Sequence, residues 1–438
     1  MEWQLILILC LIGILLLFAT GLPIAICFMI FNFVGAFIFF GSENGIQQII
    51  LSFYDSVSKF SLLPIPLFVL MGELIFQSGI AFKALDVLDK FMGRIPGRLS
   101  LISVAGGALF ATVSSSTAAT AVLLGKVLLP EMQRRGYKKP MTIGPIMGSG
   151  VLAPIIPPSG QAVLLASLAG LSAGKILIAA AIPGIVLACI YAAYIIIRCL
   201  IQPSLAPVYE ISSTPMREKL LGFVRYVLPL GAIFFMAVGI IFIGITSATE
   251  AAATGVLGTI IIIAIYRKLS WGLLKKSAQG AARLTVMLFM ILLGANAFSQ
   301  ILAFSGSAAG LTLYMSGLHM SPIFLWMIML FVVLILGCFM DVNSIMMITL
   351  PIYMPVVNTL GINPLLFGVT MLICLEVGCI TPPFGVILFA MSGVVPKDIT
   401  LGDIYRAGVP FIICDLVGVA VIMAFPILAL WLPSIMIQ

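Results

Sequence analysis

Two short stretches hold the residue types that could do chemistry. Ile156-Pro157-Pro158-Ser159-Gly160 and Thr381-Pro382-Pro383-Phe384-Gly385 each interrupt a long apolar run. Proline lacks a backbone N–H and crowds the preceding turn, so two in a row unwind a helix locally. A bilayer tolerates unwound backbone only where protein or water surrounds it. Freed carbonyls and helix C-termini suit a small hard cation such as Na+, and half-helix N-termini suit an anionic group. Upstream of each stretch lies a polar patch, Ser114-Ser115-Ser116-Thr117 and Asp341-Val342-Asn343-Ser344. The candidate cation ligands in the first half are Ser114, Ser115 and Ser116, with freed carbonyls around Ala153 and Ile156. In the second half they are the carbonyls of Gly337 and Gly378 and the hydroxyl of Thr381. Candidate contacts to an anionic substrate are Ser115, Thr117, Pro158, Ser159, Asn343 and Pro383. Serine and glycine also let helices pack closely; that explanation suffices for a lone serine but less well for four hydroxyls in a row.

The elements that must position these residues form an internal repeat. Pro157 to Pro382, Pro158 to Pro383, Gly160 to Gly385 and Pro130 to Pro355 are each 225 residues apart. Ser116 plus 225 is Asp341, so the polar patches align as well. Several features at one offset indicate duplication, where a single Pro-Pro match would not.

Composition sets the medium. The chain of 438 residues is 62% hydrophobic and 8% charged, with mean hydropathy +1.27. A soluble domain of this composition would have almost no polar surface. Many windows exceed the roughly 20 apolar residues that cross a bilayer, and the alternation of a membrane barrel is absent. The reading is an all-α polytopic membrane protein. The start, Met1-Glu2-Trp3-Gln4, has no positive region, so the first helix is expected as a retained anchor. The net charge of +7 does not indicate nucleic acid, because the basic residues cluster in short connectors, as topology signals do. The eight cysteines lack metal-type spacing and read as small hydrophobes among membrane lipids.

In chain order, residues 4–40 read as two spans and 45–60 as an interfacial helix, with apolar residues at helical spacing. A span at 62–79 and a basic connector, Lys83–Arg98, follow. A re-entrant hairpin is expected at about 99–130, a broken helix at about 142–170 and a span at about 175–200. The first half thus covers 1–201, a polar connector 202–222, and the second half 223–438. That half is expected to hold spans at 225–245 and 249–266, a basic loop from Arg267 to Arg283, and a span at 284–304. An uncharged stretch 305–322, a hairpin at about 323–356, a broken helix at about 366–394 and a final span at about 408–430 complete it. Arg94, Arg98 and the Arg134–Lys139 cluster flank the first hairpin, whereas no Lys or Arg flanks the second. The two hairpins therefore enter from opposite sides, an inverted-topology repeat of the kind secondary transporters build around a midplane site.

Asp341 sits in an apolar stretch, where a central Asp costs about 2.5–3.5 kcal/mol on insertion scales; a site role and a helix-capping role both account for it. Glu73, Glu250, Glu376 and Asp415 read as internal struts or interface residues, Lys126 as snorkelling, and His319 as a solvated loop residue.

Phe68-Val69-Leu70-Met71-Gly72-Glu73, Pro130 with Arg134-Arg135-Gly136-Tyr137, Ile155-Ile156-Pro157-Pro158-Ser159, Thr249-Glu250-Ala251-Ala252-Ala253 and Gly378-Cys379-Ile380-Thr381-Pro382-Pro383 together resemble the large membrane subunit of TRAP (tripartite ATP-independent periplasmic) transporters over nearly the whole chain. The resemblance implies Na+-driven uptake of a small organic anion across a bacterial cytoplasmic membrane by an elevator mechanism. It also implies a periplasmic substrate-binding protein and a small four-helix membrane subunit, which is expected to be a separate chain. The family's usual Ser-Gly-Ser and following Ala-Asp stand here as Ser114-Ser115-Ser116 and Ala119-Thr120. Those departures bear on the first tip's cation role and are compatible with a substrate outside the commonest dicarboxylates.

Two other readings compete. The permease of an ATP-driven importer would need its ATPase on another chain, because no Gly-x-x-x-x-Gly-Lys-Ser/Thr loop occurs. An intramembrane enzyme would need a catalytic set such as paired aspartates in a shared motif or a metal cluster, and none is apparent.

Overall fold

A computed structural model of the chain describes residues 3–59, 62–93, 95–111, 116–207, 215–317, 320–396 and 398–436, and every regular element among them is helical. The first half opens with α1 (Trp3–Ala19), α2 (Ile24–Phe40), α3 (Ser42–Val57), α4 (Pro64–Ser78) and α5 (Ile80–Phe91). Gly79 ends α4 in the left-handed region at φ +65, where a side chain would be strained. The chain bends there by 67°. The first hairpin is α6 (Arg98–Ala111) and α7 (Thr117–Arg134). The first broken helix is α8 (Lys139–Ile155) and α9 (Gly160–Ala169), bent by 50°, and α10 (Ala173–Ile201) follows.

In the second half, α11 (Met216–Gly222), α12 (Leu228–Phe234) and α13 (Ile240–Phe242) run on through π-type turns as one span. Then come α14 (Ala248–Ile265), α15 (Trp271–Phe304) and α16 (Ser307–Gly317). The second hairpin is α17 (Pro322–Gly337) and α18 (Val342–Thr359), and the second broken helix is α19 (Pro364–Ile380) and α20 (Val386–Ser392). α21 (Leu401–Ala424) and α22 (Ile427–Ser434) close the chain. Among the described residues, six helices are long and apolar enough to cross a membrane, or up to eight if each of two bent pairs is one span.

The offset of 225 extends well beyond the prolines. Added to the bounds of α7 it gives 342–359, the bounds of α18; added to those of α8 it gives 364–380, the bounds of α19. It carries α2 to 249–265, against Ala248–Ile265 for α14. The architecture is an inverted repeat containing two re-entrant hairpins and two broken helices.

Four stretches differ from expectation. The basic connector after α4 contains α5, whose Ile80, Ala81, Ala84 and Leu85 are buried at helical spacing with the charges between them. The basic loop after α14 is shorter than expected, because α15 begins at Trp271 and carries Lys275, Lys276 and Arg283 on its first turns. The uncharged stretch before the second hairpin contains α16, and the polar connector between halves already becomes helical at Met216.

Packing sorts the helices into two groups. Both broken helices lie at the centre of one: every residue of α8 from Met141 to Ile155, and of α19 from Leu366 to Ile380, is buried. Around them pack α6, α7, α10, α17 and α21. In the other group α4 lies on α14 and α15, and α15 also lies on α2 and α3. The short helix α9 and the hairpin helix α18 touch both groups.

Candidate functional site

Each hairpin and broken helix meet through glycine. A Cβ on Gly337 would stand 2.5 Å from the Cα of Gly378, so the C-terminus of α17 and the end of α19 touch backbone to backbone. In the first half a Cβ on Gly107 would stand 2.4 Å from the carbonyl oxygen of Ser149, and one on Gly150 2.7 Å from that of Thr117. The helical breaks are therefore held directly against the hairpins.

At the first break α8 stops at Ile156, which is extended (ψ 123), and α9 is capped by Ser159, whose Oγ accepts from the Ala162 amide at 3.1 Å. The carbonyls of Ala153 and Pro154 have no N–H four residues on, because Pro157 and Pro158 stand there. At the second break Thr381 is extended (ψ 128) and its hydroxyl donates to the Val377 carbonyl at 2.8 Å, which leaves oxygen lone pairs for a further partner. The Gly378 carbonyl accepts from the Thr381 amide at 3.1 Å. Gly337 ends α17, and its carbonyl caps no backbone amide among the described residues. Both Pro-Pro bonds are cis.

The hairpin helices are capped by different residue types. Ser116 accepts from the Ala119 amide at 3.3 Å. Asp341 accepts from the amides of Asn343 and Ser344 at 3.0 and 3.4 Å and from the Ser344 hydroxyl. Its capping role is thus observed. Ser114 and Ser115 lie outside the described residues, as does His319.

A cavity of about 400 Å3 opens between the two helix groups. Ser116, Pro158 and Asn343, all sequence candidates, line it. Three residues that the sequence reading did not select line it too: Thr120 and Lys126 on α7, and Gln161 on α9. The side-chain oxygens of Thr120, Gln161 and Asn343 are buried without a hydrogen-bond partner. Buried polar atoms are normally satisfied, so three orphans on one cavity mark where a polar ligand would sit. The far wall is Phe68, Val69 and Glu73 of α4 with Leu284 and Leu288 of α15. Lys126 is the cation on this lining, and Glu73 the acid. Thr117, Ser159 and Pro383 are not on it. Thr117 is buried and donates to the carboxyl of Glu376 on α19, which ties the first hairpin to the second broken helix. The Pro383 carbonyl accepts from the Tyr405 hydroxyl at 2.7 Å.

The cavity runs along α7 from its capped end toward Arg134 and Arg135, and along α15 just past Arg283. Its lining therefore extends toward the face that carries the basic connectors. At that face Glu131 pairs with Arg134 at 2.9 Å and with Arg135 at 2.7 Å, and Lys139 with Asp403 at 2.8 Å.

Residues 11–428 match the family model described as the tripartite ATP-independent periplasmic transporter, DctM component. The chain is 30% identical over 397 residues to the C4-dicarboxylate TRAP transporter large permease protein DctM of Pseudomonas aeruginosa, covering 90% of this chain and 91% of the relative. It is 28% identical to the ectoine TRAP transporter large permease protein TeaC of Halomonas elongata, with 96% of each chain covered. With the 2,3-diketo-L-gulonate TRAP transporter large permease protein YiaN of Escherichia coli it shares 29% identity, covering 90% of this chain and 91% of the relative. Among solved structures, the Alcanivorax borkumensis YdaH transporter, described as having an unusual topology, superposes with a TM-score of 0.62 over 90% of each chain at 14% identity, a likeness of fold.

Proposed function

Since this chain belongs to the DctM component family of TRAP transporters and is a large permease subunit with multiple membrane spans, we propose that it is the translocating subunit of a Na+-coupled importer. Its substrate is a small organic anion handed over by a periplasmic binding protein, and its membrane partner is a small four-helix subunit. The single observation that carries the reading is the convergence of the Thr120, Gln161 and Asn343 oxygens on one cavity between the helix groups. In this reading residues 1–201 and 223–438 are the two halves, joined by 202–222.

The group around α8 and α19 carries the substrate, and the group of α2, α4, α14 and α15 stays fixed in the bilayer. The short segments α9 and α18 that touch both groups are the surfaces that slide in an elevator movement. The cavity extends toward the basic face, cytoplasmic by the positive-inside rule, and in this reading the conformation is inward-facing. Lys126 with the N-termini of α7 and α9 favours negative charge, and apolar α4 and α15 side chains cover the remainder. A single lining lysine suits one carboxylate better than two. Na+ occupies the ends of α8 and α17 and the break at Thr381, using the carbonyls of Ala153, Ile156, Gly337 and Gly378 and the hydroxyls of Ser114, Ser115, Ser116 and Thr381.

The test is reconstitution of the chain with its small subunit and binding protein in vesicles, against a panel of dicarboxylates, sugar acids and ectoine. Uptake of one of these driven by an inward Na+ gradient, with no ATP present, supports the reading. Uptake that requires ATP and ignores Na+ would replace it with an ATP-driven permease.

A further inference from the structure

Away from the central cavity, α3 and the distal part of α15 enclose a second cleft of about 430 Å3, lined by Ser52, Asp55, Ser56, Lys59, Asn296 and Gln300 among others. Its depth follows from helix geometry. α15 has 34 residues, about 51 Å at 1.5 Å per residue, whereas the hydrocarbon core is about 30 Å thick. Lys275, Lys276 and Arg283 mark one boundary of that core. Asn296 and Gln300 lie about 20–26 Å beyond Arg283 and about 30–36 Å beyond Lys276 along the axis, which brings the cleft toward the opposite headgroup level.

The cleft is built for a polar occupant. Asn296 donates to Ser56 at 2.8 Å, and Gln48 to Gln300 at 3.1 Å, fixing the amides across the two helices. Ser52 is 2% exposed and its oxygen has no partner. Asp55 on the last turn of α3 and Lys59 just beyond its end share the same lining, yet neither is ion-paired among the described residues. Beside this polar stripe α3 turns Ile50, Leu51 and Tyr54 outward, 59, 58 and 68% exposed. A polar, charge-balanced cleft with an apolar strip alongside matches an amphiphile with one positive and one negative group in its head.

We propose that this cleft binds the headgroup of a zwitterionic aminophospholipid. The ammonium lies against Asp55 and the phosphate against Lys59 and the Ser52 hydroxyl, with the acyl chains along Ile50, Leu51 and Tyr54. An anionic headgroup such as phosphatidylglycerol's carries no cation to match Asp55. A quaternary ammonium could not donate a hydrogen bond to it.

The test uses the full chain purified with its small membrane subunit and exchanged into detergent containing phosphatidylethanolamine, phosphatidylglycerol or phosphatidylcholine. Native mass spectrometry then reads the retained lipid. The expected result is retention of about one phosphatidylethanolamine per chain, at least tenfold over the other two. Asp55→Asn combined with Lys59→Gln should abolish that preference. Both positions are exposed, and a thermal unfolding scan in lipid-free detergent checks that the variant still folds. Equal retention of all three headgroups, or a preference unchanged in the folded double variant, overturns the proposal. Displacement by soluble phosphoethanolamine at the same concentration as the lipid overturns the lipid assignment in favour of a free zwitterion.

Discussion

The two halves share a backbone plan but not a surface. The helix bounds of α7 and α8 reappear 225 residues on in α18 and α19. The side chains that face the central cavity do not. Thr120 corresponds to Ile345, Lys126 to Pro351 and Gln161 to Val386. At the cap that faces the cavity Ser116 accepts from the Ala119 amide, whereas at its counterpart the carboxylate of Asp341 accepts from two amides and a hydroxyl. Duplication therefore preserved what backbone hydrogen bonding demands, two breaks and two hairpins, while most of the polarity on the cavity stands in one copy, with Asn343 from the other. Helix ends need partners in either half, but an anion needs only one cradle.

The backbone side of this comparison gives the largest expected effect. Gly337→Ala drives a Cβ into the Gly378 backbone at 2.5 Å, and neither partner can rotate away. We expect transport to fall below about a tenth of native, or the chain to fail to assemble in the membrane, and Gly107→Ala to behave alike against Ser149. Near-native uptake by either variant would show that one break is not held against its hairpin as described.

The surface side is sharpened at Lys126. Lys126→Gln should raise the half-saturating substrate concentration about 10–100-fold, the range for losing a hydrogen bond to a charged partner. The matching change in the second half, Pro351→Ala, should leave that concentration within about twofold. Similar shifts at both positions would mean that the cavity is not the substrate's.

How much of this was legible in the sequence follows the same division. The Pro-Pro pairs and the constant offset revealed the hairpins and broken helices, because proline and the polar tips act on the backbone and recur. Ser116, Pro158 and Asn343 came with them. Thr120, Lys126 and Gln161 did not, since each is a lone polar residue in an apolar run whose counterpart is apolar. A search for shared features discards them, and their asymmetry was the available signal. α5 and the start of α15 were read as loops because their charges outweighed an apolar face only a few turns long.

A smaller effect is expected at the second break. Thr381→Val keeps the side-chain shape and removes the hydroxyl oxygen. The half-saturating Na+ concentration should rise several-fold, with insertion unchanged. An unaltered Na+ dependence would leave Thr381 only its bond to the Val377 carbonyl, a structural role.

Smallest are the neutral cavity groups. Thr120→Val or Gln161→Leu removes one neutral hydrogen bond to substrate, about 0.5–1.5 kcal/mol, or about 2–12-fold in apparent affinity. Uptake should be measured at several substrate concentrations so that half-saturation moves while the maximal rate holds. A loss confined to the maximal rate would place these oxygens outside the binding site.

The central claim is that both broken helices carry a cation, although most of the polar groups on the cavity come from one half. Moving one anionic charge into a negative interior costs about 2.3 kcal/mol per 100 mV, and each co-transported Na+ returns a similar amount. The most direct measurement is the initial rate of monoanion uptake into vesicles as external Na+ and a K+ diffusion potential are varied, without ATP. Two cations per monoanion predict a rate sigmoidal in Na+, with a Hill coefficient above one, that rises as the lumen is made more negative. A rate hyperbolic in Na+ and indifferent to voltage would contradict the account, leaving one of the two breaks without a cation.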